Sequence, residues 1–246
     1  MNLVAVGGLH AVRALLERSP ERVQKLLLDT RRDDQRIREL LQRATAAAVR
    51  VERVEARQLA GRVGEMAHQG VVAEVQPLAG WSEDDLFTAL EGCATPPLVL
   101  VLDGVQDPHN LGACLRSADA CGALTVVVPR DRAASVNATV RKVAAGAAET
   151  TPVTTVTNLA RALKLMKEAG LWVAGADMAG EKLAWEADLK GPLALVMGGE
   201  GDGLRDLTRR SCDLLVRLPQ VGAVESLNVS VASGMLLYEA LRQRQG

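Results

Sequence analysis

The chain has 246 residues, 48% of them hydrophobic and 24% charged. That balance suits one or two folded domains with real cores and excludes a disordered chain. The net charge of -1 hides a division: residues 1–64 hold 13 Lys and Arg against 8 Asp and Glu, whereas residues 65–246 hold 16 against 22. In chain order, the front part is expected to form a helix around Ala11–Arg18, a strand at "KLLLD", a helix around Gln35–Ala47, and strands at "VRVERV" and "VVAEV". Together these make a small α/β domain over residues 1–75. Its basic surplus reads as a handle for RNA or DNA, because Lys and Arg neutralise phosphate. The competing reading is a solvated helix face, since "TRRDDQRIRELLQRA" mixes both signs at helical spacing. Residues 76–97 carry Pro at both ends and one short amphipathic helix after Ser82, the pattern of a linker.

From Leu98 the character changes. "LVLVLD", "LTVVVP", "TPVTTV", "LWVAGA", "LALVMG" and "LLVRLP" are short apolar runs, interleaved with helices over about Leu111–Ala120 and Asn158–Ala169 and closed by the helix "MLLYEALRQ". Runs of this kind belong to a parallel sheet covered on both faces, so residues 98–246 are expected to form an α/β domain. No apolar run approaches the roughly 20 residues that span a bilayer. The N-terminal "MNLVAVGGLHAVRALLERS" lacks a basic region followed by a long apolar one, and the expected compartment is the cytoplasm. Cys93, Cys114, Cys121 and Cys212 form no CxxC pair and read as reduced core residues. His10, His68 and His109 lie far apart in sequence, and no metal site is expected.

Ligands of open parallel sheets bind beyond the carboxyl ends of the strands. Three such segments stand out. In "DGVQDPHNLGACLRSADACGA", Asn110 lies where the helix is expected to begin and reads as an N-cap or a ligand group. Arg116 follows near the same side among small and apolar neighbours, where a charge ordinarily has an assigned partner. In "LALVMGGEGDGL", glycines at 198, 199, 201 and 203 let a ligand approach bare backbone. The GxGxG there is no Rossmann fingerprint, because it is not in the first βα unit and the acid expected about 20 residues on is replaced by Leu218. In "GAVESLNVSVASG", Ser226, Asn228, Ser230 and Ser233 crowd the start of the last helix, either as a serine cap with small core residues or as the wall of a site.

N-x5-R after the first strand, G-G-E-G after a late one and S-L-N-V-S at the last helix together resemble the three motifs of the SpoU branch of the SPOUT RNA methyltransferases. "LDGVQDPHNLGACLRSADACGA" and "ESLNVSVASG" are most similar to the branch that methylates a guanosine 2'-hydroxyl in the P loop of 23S ribosomal RNA. "GLHAVRALL" and "HQGVVAEV" are similar to the substrate-binding domain of that branch. The resemblance implies a trefoil-knotted α/β fold, S-adenosylmethionine as methyl donor, and a homodimer whose sites are shared between subunits. It implies cofactor contacts from Gly198, Gly199, Gly201, Leu218, Ser226 and Leu227, and catalytic roles for Arg116, Asn110, Glu200 and Asn228.

Arginine has a pKa above about 12, which makes it a poor base near neutrality. Arg116 is therefore read as gripping a phosphate beside the target ribose and stabilising the developing alkoxide. Glu200 is the alternative proton acceptor or a partner for Arg116, and Asn110 places the ribose or Arg116. Val231, Met235, Leu236, Tyr238 and Leu241 spread apolar surface over more of the last helix than one core-facing stripe needs, which favours a second subunit against it. Two alternatives stay open: a sister methyltransferase acting on transfer RNA or another ribosomal position, and a noncatalytic RNA-binding protein of the same fold.

Overall fold

Apolar runs bounded by polar turns set the strands of the front of the chain. The computed structural model describes residues 3–64, 67–199, 203–223 and 226–245. Its elements begin with β1 (Val4–Gly7), α1 (Leu9–Arg18), β2 (Val23–Asp29), α2 (Gln35–Ala46), β3 (Arg50–Val54), α3 (Ala56–Val63) and β4 (Val71–Val75). The four strands form a sheet of order β1-β4-β2-β3, in which β2 and β3 run parallel and the other pairs antiparallel. Successive residues of a strand face opposite ways. Leu26 and Leu28 of β2 therefore meet Val12 and Leu15 of α1 and Ile37 and Leu40 of α2, while Leu27 meets Leu59 of α3 on the other face. Burial on both faces explains the unbroken "LLL". Two elements are additional to those expected: β1 is only four residues long, and α3 carries a glycine in its interior, which weakens its helical signal.

The later part continues with α4 (Glu83–Glu91), β5 (Leu98–Asp103), α5 (Pro108–Ala120), β6 (Thr125–Pro129), α6 (Ala138–Ala144), β7 (Val153–Val156), α7 (Leu159–Glu168), β8 (Trp172–Ala176), β9 (Lys182–Leu183), β10 (Leu193–Gly198), α8 (Asp206–Ser211), β11 (Leu214–Arg217) and α9 (Val229–Gln245). The sheet order is β7-β6-β5-β10-β8-β11-β9, and every neighbouring pair is parallel. All six residues of β5 are buried, as expected for a central strand covered on both faces. Leu86 and Leu90 of α4 enter the core formed with Val99, Val127, Leu163 and Val196, and Phe87 packs beside them. No helix among the described residues is long and apolar enough to cross a membrane.

The chain divides into two compact units, one of Met1–Ala79 with Ala145–Thr150 and one of Gly80–Ala144 with Thr151–Gly246. The short middle segment thus belongs with the front of the chain. It leaves α6 through two left-handed residues, Ala145 (φ 51°) and Gly146 (φ 100°), and a Cβ on Gly146 would lie 2.8 Å from Ala11 Cβ of α1. Its Ala147, Ala148 and Glu149 form a buried single turn of 3-10 helix.

Candidate functional site

The site is built on β5 and β10, which pair in register so that Gly198 lies opposite Asp103. Asp103 is buried, and Arg205 closes onto it: the Nε donates to Oδ1 at 2.6 Å, the backbone N–H donates to Oδ2 at 3.2 Å, and the Nη2 completes the ion pair. Between them, Gly199 and Gly203 form an antiparallel bridge. A Cβ on Gly198 would sit 2.0 Å from the Gly203 carbonyl carbon, and one on Gly199 would sit 2.8 Å from Gly104 O. The protein's own backbone therefore approaches both glycines closely, which a side chain at either position would prevent. Glu200 and Gly201 lie outside the described residues.

Asn110 is not the cap of α5. The helix starts at Pro108, and Asp107 caps it by accepting from His109 N at 3.0 Å, with proline at the first position, where its missing N–H costs nothing. Asn110 is instead buried in the first turn, and its Oδ1 accepts from Asn228 Nδ2 at 3.0 Å. Asn228 also starts α9. Its Oδ1 accepts from Ser230 N at 2.9 Å, Ser230 Oγ at 2.6 Å and Val231 N at 3.4 Å, so the cap is this asparagine and not Ser226, which is exposed. One amide thus joins the first and third motif segments, 118 residues apart.

Behind that bond α5 packs against two helices. A Cβ on Gly112 would fall 2.7 Å from Val143 Cβ and 2.9 Å from Val140 O of α6. On the α9 side, Cys114 Sγ donates to Ser233 Oγ at 3.6 Å, and Ser233 donates to Val229 O at 2.7 Å. Burial pushes the Cys114 thiol up to about 11 and Cys212 up to about 12, so neither is a thiolate nucleophile near neutrality. Arg116, on the exposed side of α5, has no hydrogen-bond or ion-pair partner among the described residues. His109 is exposed on the same helix. Leu218 and Leu227 are half-buried.

Three residues went unremarked in the sequence. Asp103 and Arg205 are 102 positions apart, and the only local signal is an acid ending a wholly apolar strand. Gln220, in the turn after β11, donates through Nε2 to Met178 Sδ at 3.3 Å, while its buried Oε1 has no partner among the described residues. Buried polar atoms ordinarily have partners, so an open acceptor marks a place for a polar group.

A seven-stranded parallel sheet whose conspicuous loops gather at the carboxyl ends of its strands, with an amide pair joining α5 to the start of α9, defines an open-sheet α/β domain with a ligand site at those ends. The model of the SpoU rRNA methylase family matches residues 97–238, and that of the RNA 2'-O ribose methyltransferase substrate-binding domain matches residues 5–81. The chain belongs to the SpoU rRNA methylase family. It is 52% identical over 243 residues to the 23S rRNA (guanosine-2'-O-)-methyltransferase RlmB of Pseudomonas putida, covering 99% of this chain and 98% of that protein. The RlmB of Pseudomonas aeruginosa is 53% identical over 97% of this chain and 96% of its own. Among solved structures, the SpoU methyltransferase AviRb of Streptomyces viridochromogenes in complex with AdoMet matches with a TM-score of 0.70 and 27% identity, covering 98% of this chain and 90% of that one.

Proposed function

We propose that the chain transfers a methyl group from S-adenosylmethionine to the ribose 2'-hydroxyl of a guanosine in 23S ribosomal RNA. The observation that carries this reading is the identity of about half, along nearly the whole chain, to relatives named for that reaction. The residues fit the methyl donor, since the open Gln220 Oε1 offers an acceptor in the "RLPQ" turn beside half-buried Leu218. Gly198, Gly199, Gly201, Leu218, Ser226 and Leu227 are the residues proposed to hold it. When bound, S-adenosylmethionine supplies a methyl group on a positively charged sulfur.

The chain's own groups have three tasks: to orient the ribose, to hold the RNA backbone, and to favour loss of the 2'-hydroxyl proton. Arg116 is assigned the phosphate next to the target ribose and the negative charge that develops on the 2'-oxygen, as a planar guanidinium free of internal partners among the described residues suits. Asn110 and Asn228 hold the first turn of α5 against the start of α9, so that Arg116 projects from a fixed helix. Glu200 is assigned as proton acceptor.

Residues 1–75 are assigned to RNA binding and 98–246 to catalysis, joined through 76–97. The family resemblance supports a trefoil knot around the cofactor loops. Val231, Met235 and Tyr238 form an exposed stripe at helical spacing on α9, which supports a homodimer packed through this helix. A cytoplasmic location suits a ribosomal substrate. Transfer of labelled methyl to 23S rRNA, with the modified nucleotide mapped, tests the reading. Label on transfer RNA alone would redirect it to a sister activity, and no transfer to any RNA would leave a binding protein.

A further inference from the structure

Gln220, in the turn after β11, holds an amide whose two ends differ. Its Nε2 donates to Met178 Sδ at 3.3 Å, and its Oε1 is buried without a partner among the described residues. A thioether sulfur has no proton to give, so the nitrogen faces Met178 and the oxygen is the atom left open. An unmet buried acceptor is costly, and a native protein that keeps one ordinarily has a use for it.

Three neighbouring strands set where that oxygen lies. β8 pairs in parallel with β10 on one side and β11 on the other, so the strand ends at Gly198, Ala176 and Arg217 lie side by side. Ligands of open sheets bind beyond such ends. Met178 follows the end of β8, and Gln220 follows the end of β11. The loop that carries Met178 is held down on β11: Asp177 N donates to Val216 O at 2.9 Å, and a Cβ on Gly180 would fall 2.8 Å from the Val216 carbonyl carbon.

The surroundings select a neutral, flat group. Leu218 is half-buried, Met178 is 54% exposed, and a thioether packs favourably on an aromatic ring. The nearby carboxylate of Asp177 is already engaged, by Arg209 Nη2 at 2.7 Å and by Ala179 N at 2.9 Å, so it is no counter-ion for an ammonium group. A ribose hydroxyl is uncharged but offers Met178 no flat face. Of the donors on S-adenosylmethionine, the 6-amino group of the adenine alone is both neutral and carried on a ring.

Resting on the functional reading above, we propose that Gln220 is a specificity-determining residue for the methyl donor: its Oε1 accepts from the adenine 6-amino group, and Met178 holds the amide in that orientation and packs on the ring. A 6-oxo purine would set an acceptor against this acceptor, so the site rejects the inosyl analogue.

The test uses the whole chain and calorimetry with two probes, S-adenosylhomocysteine and S-inosylhomocysteine, and needs no turnover. The parent is expected to bind the adenosyl compound roughly 10-fold or more tightly than the inosyl one. Gln220→Met, which drops the amide at similar length, is expected to lose roughly 10-fold in affinity for the adenosyl compound and to hold the inosyl one within about twofold of the parent. Gln220→Glu keeps an acceptor and is expected to keep the preference. Met178→Leu frees the amide to turn its nitrogen to the ligand, and is expected to bind the inosyl compound more tightly than the parent does. A preference that survives in Gln220→Met overturns the proposal, as does an equal loss of affinity for both compounds in that variant. A parent that binds both compounds alike defeats the assignment of Gln220 and leaves the functional reading standing, while a parent that binds neither these compounds nor S-adenosylmethionine defeats both.

Discussion

Replacing Asn228 separates two tasks that one amide performs. Asn228→Ala removes both the α9 cap and the bridge to Asn110. Loss of an asparagine cap costs about 1 kcal/mol, and a neutral hydrogen bond contributes about 1 kcal/mol net. The sum is about 2 kcal/mol, which for a chain of this size lowers Tm by about 4–8 °C. Asn228→Asp keeps the acceptor for Ser230 N and Val231 N but sets an oxygen where Nδ2 stood, 3.0 Å from Asn110 Oδ1. A carboxylate at a helix N-terminus is itself favourable by about 0.3–1 kcal/mol, so the single variant understates the bridge. A double-mutant cycle with Asn110→Ala cancels that gain, along with the other contacts of Asn110. Urea unfolding of the four proteins, followed by far-ultraviolet circular dichroism, is expected to give a coupling of about 1 kcal/mol. A coupling below about 0.3 kcal/mol, within the scatter of independent sites, would refute the view that this amide pair holds the two motif segments together.

Arg116→Ala should lower methyl transfer by about 100- to 1000-fold, the range for losing one donor to a developing oxyanion, with little change in S-adenosylmethionine affinity by calorimetry; Arg116→Lys should also be poor, because a point charge does not reproduce a planar fork. Near-normal turnover of the alanine variant would remove Arg116 from the site. Gly198→Ala places a carbon 2.0 Å from Gly203 backbone, so the loop cannot close as it stands, and S-adenosylmethionine affinity should collapse in the same titration. At pH 8 Cys114, held up to about 11, should alkylate about a hundredfold slower than an ordinary thiol, and Cys212, held up to about 12, about a thousandfold slower, as read by mass spectrometry of the native protein. Met235→Glu on the exposed stripe of α9 should convert a dimer to monomer by sedimentation at micromolar concentration, and an unchanged species would place the interface elsewhere.

The parallel strands were legible because burial on both faces writes itself as runs such as "LVLVLD" and "LALVMG". The starts of α5 and α9 were harder. "DPHN" offers two capping candidates three residues apart, and the proline after Asp107 was the discriminating signal. "ESLNVS" offers several, and the choice of Asn228 depends on Asn110, 118 residues away. Strand β1 and helix α3 are too short or too glycine-interrupted to stand out by periodicity. The Asp103–Arg205 and Arg22–Glu149 pairs join residues more than 100 positions apart, and no local pattern of apolar residues encodes which acid meets which arginine. The resemblance identified the motif residues. It did not indicate that Gly198 and Gly199 are required first by backbone packed on backbone.

The excursion at 145–150 also constrains the order in which a growing chain is completed. A nascent polypeptide that has emerged only to Ala79 holds all four strands of the front sheet. Its Arg22 still lacks Glu149, and the surface that Ala147 and Ala148 cover is open. The unit that translation delivers first is therefore finished only after roughly 70 further residues have been made, by which point β5 and β6 have emerged but β10, the partner of β5 at the centre of the second sheet, has not. Domains generally fold as units in the order of synthesis. Here the first unit waits on the middle of the chain, and β5 waits on β10, some 90 residues further on, so neither unit can complete its packing strictly in the order of synthesis.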